Sequence, residues 1–340
     1  MVMQQKVQKE MVKAKKIIYI AELLRAHSII SGGALAVIGA LCITHTIFNF
    51  HILLLLVFGT LCAAFGTGLN EICDVEYDRR TSINKILVRG DISLGEAKII
   101  VTTIAIITII TGIYLAYPSL NALFTLIIMI LSGVCYDLYS KKTTWASIYF
   151  GGWIFFLILF GAIAVGGPPN PLVFAIASYC AFFMIEEISI QGAIKDIATD
   201  PSTNVALALG CYANKKGDIY LSSTFKLLAL SLKIAQYFIL FYVLFYLLPY
   251  LNFVLYFTIP VLLGANTYTF IKLMNFSSLN RRKSLNRNNT LSSVFSFSLI
   301  GFTLSVFVSL YELLLLLCIS LIWLFVLSYL ITGVILGSRQ

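Results

Sequence analysis

Apolar runs long enough to cross a bilayer recur along the whole chain, separated by short polar or turn-forming segments. A spanning helix needs about 20 mostly apolar residues. The runs predict spans over residues 28–47, 51–71, 97–117, 119–137, 145–166, 171–195, 222–248, 251–274, 290–309 and 313–336. Tyr117-Pro118-Ser119, Gly166-Gly167-Pro168-Pro169-Asn170-Pro171 and Pro249-Tyr250-Leu251-Asn252 are turn signals between neighbouring runs. The pattern predicts an all-α, polytopic membrane helix bundle, the last span being an appendage to a nine-helix unit. Residues 5–26 place Lys and apolar residues at helical spacing, as an interfacial helix on the cytoplasmic leaflet would. Residues 1–10 read equally well as a frayed basic tail. The expected organisation is therefore an N-terminal interfacial segment (1–27), a transmembrane bundle (28–310) and an additional C-terminal transmembrane helix (311–340).

Composition removes the soluble alternatives. The 340 residues are 59% hydrophobic and 11% charged, with a mean hydropathy of +0.93; soluble domains carry about 25% charged residues. The net charge of +9 points to loops facing an anionic leaflet, or to an anionic substrate, and not to nucleic acid. Every Lys and Arg except Lys233 falls before the first span or beside the ends of the even-numbered spans. The positive-inside rule then places both termini in the cytoplasm. Lys233 lies inside the seventh span and is expected to snorkel toward the cytoplasmic surface. The cysteines are scattered without a CxxC pair, which predicts neither disulfides nor zinc. The apolar stretch after the Lys-rich residues 1–16 is too long for a cleavable signal peptide.

The polar residues gather at the expected cytoplasmic ends of spans two, four and six. Asn70, Asp74 and Asp78 are spaced by four, so a helix aligns them in one stripe that drifts about 40° per step. Oxygen side chains stacked this way suit Mg²⁺, which keeps waters and bridges to substrate phosphates. A single such stripe reads equally as a solvated helix end. Asp196 and Asp200 repeat the spacing beside Lys195, and two stripes at one depth would flank a diphosphate. The third cluster, Tyr136-Asp137-Leu138-Tyr139-Ser140-Lys141-Lys142, offers a Tyr hydroxyl and Lys ammoniums, or else a positive-inside anchor.

These three clusters, each closing an even-numbered helix, resemble the UbiA superfamily of intramembrane prenyltransferases. The resemblance implies a nine-helix bundle around a central cavity, capped on the cytoplasmic side and open laterally to lipid. It also implies Mg²⁺-dependent transfer of a prenyl group from a diphosphate. Asn70, Asp74, Asp78, Asp196 and Asp200 would hold the metal, and the four aspartates would serve catalysis. Leu23-Leu24-Arg25-Ala26-His27-Ser28 and Lys195-Asp196-Ile197 are most similar to the archaeal ether-lipid branch. That branch joins a geranylgeranyl group to geranylgeranylglyceryl phosphate, so geranylgeranyl diphosphate is the expected donor.

Other residues carry two readings each. Arg25, Lys85, Arg89 and Lys195 are phosphate contacts or ordinary positive-inside charge. Tyr139 and Lys142 would help hold the leaving group. Glu186 and Glu187 lie about 15 Å before Asp196 along span six, and one of them would bind an acceptor hydroxyl or be a protonated structural Glu. Gln191, one turn beyond Glu187, would line the same wall. An aromatic acid, as in quinone synthesis, is the alternative acceptor. A secondary transporter is the alternative of a different class. Transporters place their ion sites near the midplane on broken helices in repeated halves; here the carboxylates end helices on one face.

Overall fold

The computed structural model describes residues 15–81, 84–198, 203–214, 216–247, 253–278, 282–304, 308–309 and scattered positions from 311 to 326. Nine helices follow the first nine predicted spans: α1 (Ile30–Thr44), α2 (Phe50–Arg80), α3 (Leu94–Ala116), α4 (Leu120–Tyr139), α5 (Ser147–Ala164), α6 (Pro171–Lys195), α7 (Ser223–Leu247), α8 (Phe253–Met274) and α9 (Arg282–Leu304). Six of them are long and apolar enough to cross a membrane. Side-chain caps set several starts. Asn49 accepts from the backbone of His51 ahead of α2, Ser93 and Glu96 form a reciprocal box on α3, and Asn170 caps α6 with Pro171 in its first turn. The chain is a multi-pass helical membrane protein.

Two helices run beyond the apolar runs that predict them. At 31 residues α2 is about 46 Å long, well over the roughly 30 Å of a hydrocarbon core. The surplus carries Asn70 to Arg80 on continuous helix, so the first stripe is ordered by the same backbone that spans the bilayer. Helix α9 starts at Arg282 and not near 290, its polar first turns helical with the rest. Helix α6 changes form: Glu187–Gly192 is π-helical before Ala193–Lys195 resumes the α form. Such segments occur often at functional sites.

Small residues let the N-terminal helices meet backbone to backbone. A Cβ on Gly32 would stand 2.5 Å from the Gly59 carbonyl oxygen, while one on Gly39 or Gly161 would overlap the carbonyl of Ile158 or Ala36. Close approach of this kind drives association where lipid removes the hydrophobic force. Around these crossings Leu41, Leu55, Phe58, Leu157, Ile158 and Phe160 are fully buried, and the Phe58 and Phe160 rings lie 5.0 Å apart. Ile110, Phe124, Phe238 and Phe245 face outward, where lipid would cover them.

The second half is pinned by polar groups. Lys233 does not reach for the surface: its Nζ lies 2.6 Å from Glu186 Oε2, with both side chains buried. Gln236 donates to the same carboxylate at 2.6 Å, Lys233 donates to Gln236 and Asn266, and Asn266 donates to Ser296. One network thereby joins α6, α7, α8 and α9.

Residues 15–23 are helical, and Leu23 is buried with Val75, Ile86, Leu87, Ile92 and Ala97. This segment is thus tied to the end of α2 by packing and by Lys16–Glu96 and Glu22–Arg89 ion pairs. The expected frayed tail at 1–10 lies outside the described residues, as does 327–336 of the expected tenth span. The described part of that span touches the flanks of α1: Glu312 accepts from Thr46, and Trp323 donates to the Ala26 carbonyl at 2.6 Å.

Candidate active site

The last three turns of α2 concentrate acid and base. Asp74 and Asp78 are 4% and 3% exposed, and Asn70 donates to Asp74 Oδ2 at 3.2 Å. Lys85, just before the short helix Ile86–Arg89, places Nζ 2.8 Å from Asp78 Oδ2 and 3.3 Å from Glu71 Oε1. Arg25 reaches the same Glu71 oxygen at 2.6 Å. Its backbone φ is +48°, a left-handed conformation that costs a non-glycine residue about 1–2 kcal/mol, and its N–H donates to the Glu22 carbonyl while its own carbonyl accepts from Ser28. Arg25 and Lys85, singled out from sequence as phosphate contacts, therefore converge on the acidic stripe.

Helix α4 brings a further carboxylate. Asp137 is buried, and its Oδ2 stands 3.8 Å from where a Cβ on Gly66 of α2 would be. Lys141 and Lys85 act electrostatically on Asp74, as does Asp74 on Asp137. The Lys141 ammonium lies 4.9 Å from the centre of the Tyr77 ring, and that of Lys142 5.7 Å from the Tyr139 ring. Tyr139 itself is half exposed at the end of α4. Arg89 is committed elsewhere: it donates to Asp91 at 2.6 Å, to both oxygens of Glu22 at 2.9 Å and to the Asn84 carbonyl. Burial, and then the Arg25 charge, lower the His27 imidazole below its ordinary value, so it is neutral at neutral pH.

On α6, Lys195 is exposed and Asp196 half-buried in the closing turn, its N–H donating to the Gly192 carbonyl. Asp200 lies outside the described residues. Beyond it, Asn204 folds the chain back by donating to the Ala193 carbonyl at 2.8 Å. Deeper in α6, Glu187 accepts from Ser293 of α9 at 3.3 Å, and Gln191 is 1% exposed with neither amide atom paired among the described residues.

Hard oxygen donors on consecutive turns, with cations around them, suit Mg²⁺. Among the described residues no three His, Cys, Asp or Glu side chains close a metal cage by themselves. Mg²⁺ is commonly held by one or two carboxylates together with substrate phosphates. The donor set thus fits a metal that arrives with its diphosphate.

The sequence pattern does not single out Glu71, Asp137 or Lys141, although the last two lie within the third cluster quoted above. Glu71 adjoins the stripe, and Asp137 and Lys141 are one turn apart. The Glu186–Lys233 pair carries a signal too, a base alone in one apolar run and one of two adjacent acids in another.

An intramembrane helical bundle whose long α2 ends in an acidic stripe with Arg25, Lys85 and Lys141 beside it defines a class, and comparison with known proteins agrees. Residues 33–294 match the UbiA prenyltransferase family, and the chain belongs to it: it is a membrane prenyltransferase. The digeranylgeranylglyceryl phosphate synthase of Methanococcus aeolicus is 30% identical over 201 residues, covering 56% of this chain and 67% of that protein. The fold is similar to that of an apo UbiA homologue from Aeropyrum pernix K1, with a TM-score of 0.60 and 17% identity over 82% of this chain and 97% of that one. A UbiA homologue from Archaeoglobus fulgidus bound to GPP and Mg²⁺ gives a TM-score of 0.58 and 17% identity, over 85% of this chain and 99% of that one.

Proposed function

We propose that this protein transfers a geranylgeranyl group from geranylgeranyl diphosphate to the free hydroxyl of geranylgeranylglyceryl phosphate, on the cytoplasmic side of the cell membrane. The observation that carries the reading is the Asn70–Asp74–Asp78 stripe, its two aspartates buried, with Arg25, Lys85 and Lys141 around it. The Methanococcus relative supports the choice of acceptor. Both termini and the mouth of the site face the cytoplasm in this reading, as the Lys and Arg asymmetry requires.

Asn70, Asp74, Asp78, Asp196 and Asp200 would hold Mg²⁺, which supplies positive charge against the departing diphosphate. The protein's own residues do the rest. Lys85, Lys141 and Lys142 lie along the diphosphate, and Tyr139 offers it a hydroxyl. Lys195 stands at the opposite rim. Arg25, oriented by Glu71, faces the acceptor phosphate as a charge-assisted donor. The bond from C1 to the diphosphate oxygen breaks, the acceptor oxygen bonds to C1, and the hydroxyl proton leaves with the products to solvent. Apolar helices exclude water from the allylic cation.

The test is a product assay. Purified protein is incubated with C10 to C20 allylic diphosphates and a panel of acceptors, with and without Mg²⁺, and products are identified by mass. The expected product is the digeranylgeranyl ether of glyceryl phosphate, formed only with Mg²⁺. Prenylation of a hydroxybenzoate or naphthoate, without turnover of the glycerophosphate ether, would replace the acceptor. Absence of any prenylated product would remove the reaction.

A further inference from the structure

Helices α6 and α9 run in opposite directions and meet through pairs of side chains spaced four residues apart. The Phe183 and Phe297 rings pack edge to face with centroids 5.3 Å apart. One turn further toward the charged end, Ser293 donates to Glu187 at 3.3 Å. Continuing by four in each direction, close to one turn in either helix form, leads to Gln191 on α6 and Asn289 on α9. The regular pairing stops there. Gln191 is 1% exposed, and among the described residues neither its Oε1 nor its Nε2 has a partner, nor does the buried Asn289 Oδ1. Buried polar atoms are paired in all but a few cases, and each exception is costly. Among the described residues five buried side-chain polar atoms have no partner, and the two on α6 belong to one amide, in the π-helical segment.

We propose that Gln191 and Asn289 form the seat for the nucleophilic hydroxyl of an aliphatic alcohol acceptor; the inference rests on the reading of function above and adds the group that selects the acceptor. The unfilled capacity is two carbonyl oxygens and one amide NH₂, beside the Glu187 carboxylate. A hydroxyl accepts from the amide NH₂ and donates its one proton to one of the two carbonyl oxygens, so it uses both kinds of unfilled capacity. A carboxylate or phosphate only accepts; it would leave both carbonyl oxygens unpaired and face Glu187 as a like charge. An aromatic ring edge satisfies none of the three. Depth agrees as well. Gln191 precedes Asp196 by five residues, about 7 Å along the helix. A hydroxyl held there lies below a diphosphate held at the rim, on the side from which it can reach C1. The acceptor's phosphate would remain among the cations at the mouth.

Gln191→Leu and Asn289→Leu test the assignment, with the glycerophosphate ether and its deoxy analogue, which lacks the free hydroxyl, as probes. If the amide waits for a ligand, Gln191→Leu removes unpaired polar atoms, and the thermal midpoint of the unliganded protein stays the same or rises. The KM for the alcohol acceptor should rise about tenfold while that for geranylgeranyl diphosphate changes less than twofold. The wild type should bind the alcohol about tenfold more tightly than the deoxy analogue, measured by thermal shift, and either variant should bind the two equally. A lowered midpoint together with an unchanged acceptor KM would make Gln191 a structural residue and overturn the proposal. Equal binding of alcohol and deoxy analogue by the wild type would overturn it too, and that readout needs no turnover. Failure of the functional reading shows separately, as a wild type that makes no prenylated product from any acceptor.

Discussion

Glu186 and Lys233 bring opposite unit charges together where neither water nor lipid reaches them, 1% and 3% exposed. Taking both out of a polar medium costs several kcal/mol per ion, and only good geometry with further hydrogen bonds offsets it. Gln236 and Asn266 supply those bonds. Removing one partner strands the other, so Glu186→Ala should destabilise the protein by about 3–5 kcal/mol. The paired change Glu186→Leu with Lys233→Met should recover most of that loss. Thermal midpoints in detergent measure both, and a single variant as stable as wild type would show that the pair carries no weight. Individual residues were only partly legible in the sequence. Spacing by four exposes a stripe such as Asn70–Asp74–Asp78, because one helix decides it. Glu71's bond to Arg25, the approach of Asp137 to α2, and the pairing of Glu186 with Lys233 each join different helices, which spacing along one helix does not encode. Arg89 shows the converse: its charge suggests a phosphate contact, yet Asp91 and Glu22 hold it in place.

Elements were legible wherever apolar residues run for a full span. The first nine predicted spans coincide with α1 to α9 to within a few residues at most ends. The exceptions are the ends that leave the apolar region. Helix α2 continues to Arg80 and α9 begins at Arg282, since helix formation persists into polar sequence once packing has nucleated it. The π segment of α6 has no composition signal; Glu187–Gly192 reads as ordinary helix in sequence. Yet this segment places Gln191 without a partner and sets the final turn that bears Asp196. Glycines at 32, 33, 39, 59 and 161 are legible as small residues, but which helix each one meets is a property of the bundle.

At the scale of the whole molecule, charge asymmetry, and not hydropathy, specifies which way the bundle faces. Single cysteines in a cysteine-free background at positions 88, 142 and 286 should react with an impermeant reagent only from the cytoplasm. One at position 169 should react only from outside. Finding 88 and 142 on opposite faces would overturn the two-span connection, α3 and α4, between them. With the bundle so oriented, the acidic end of α2, the basic end of α4 and the closing turn of α6 share one side of the membrane, where an anionic diphosphate and its metal would enter. The measurement that tests this most directly is the rate of diphosphate release from geranylgeranyl diphosphate, at saturating Mg²⁺ and acceptor, for wild type, Asp74→Ala and Asp196→Ala. Each substitution would remove a proposed Mg²⁺ ligand near the end of a helix, so each variant should remain folded and lose nearly all activity. A folded Asp74→Ala or Asp196→Ala enzyme working within twofold of wild type would contradict the account.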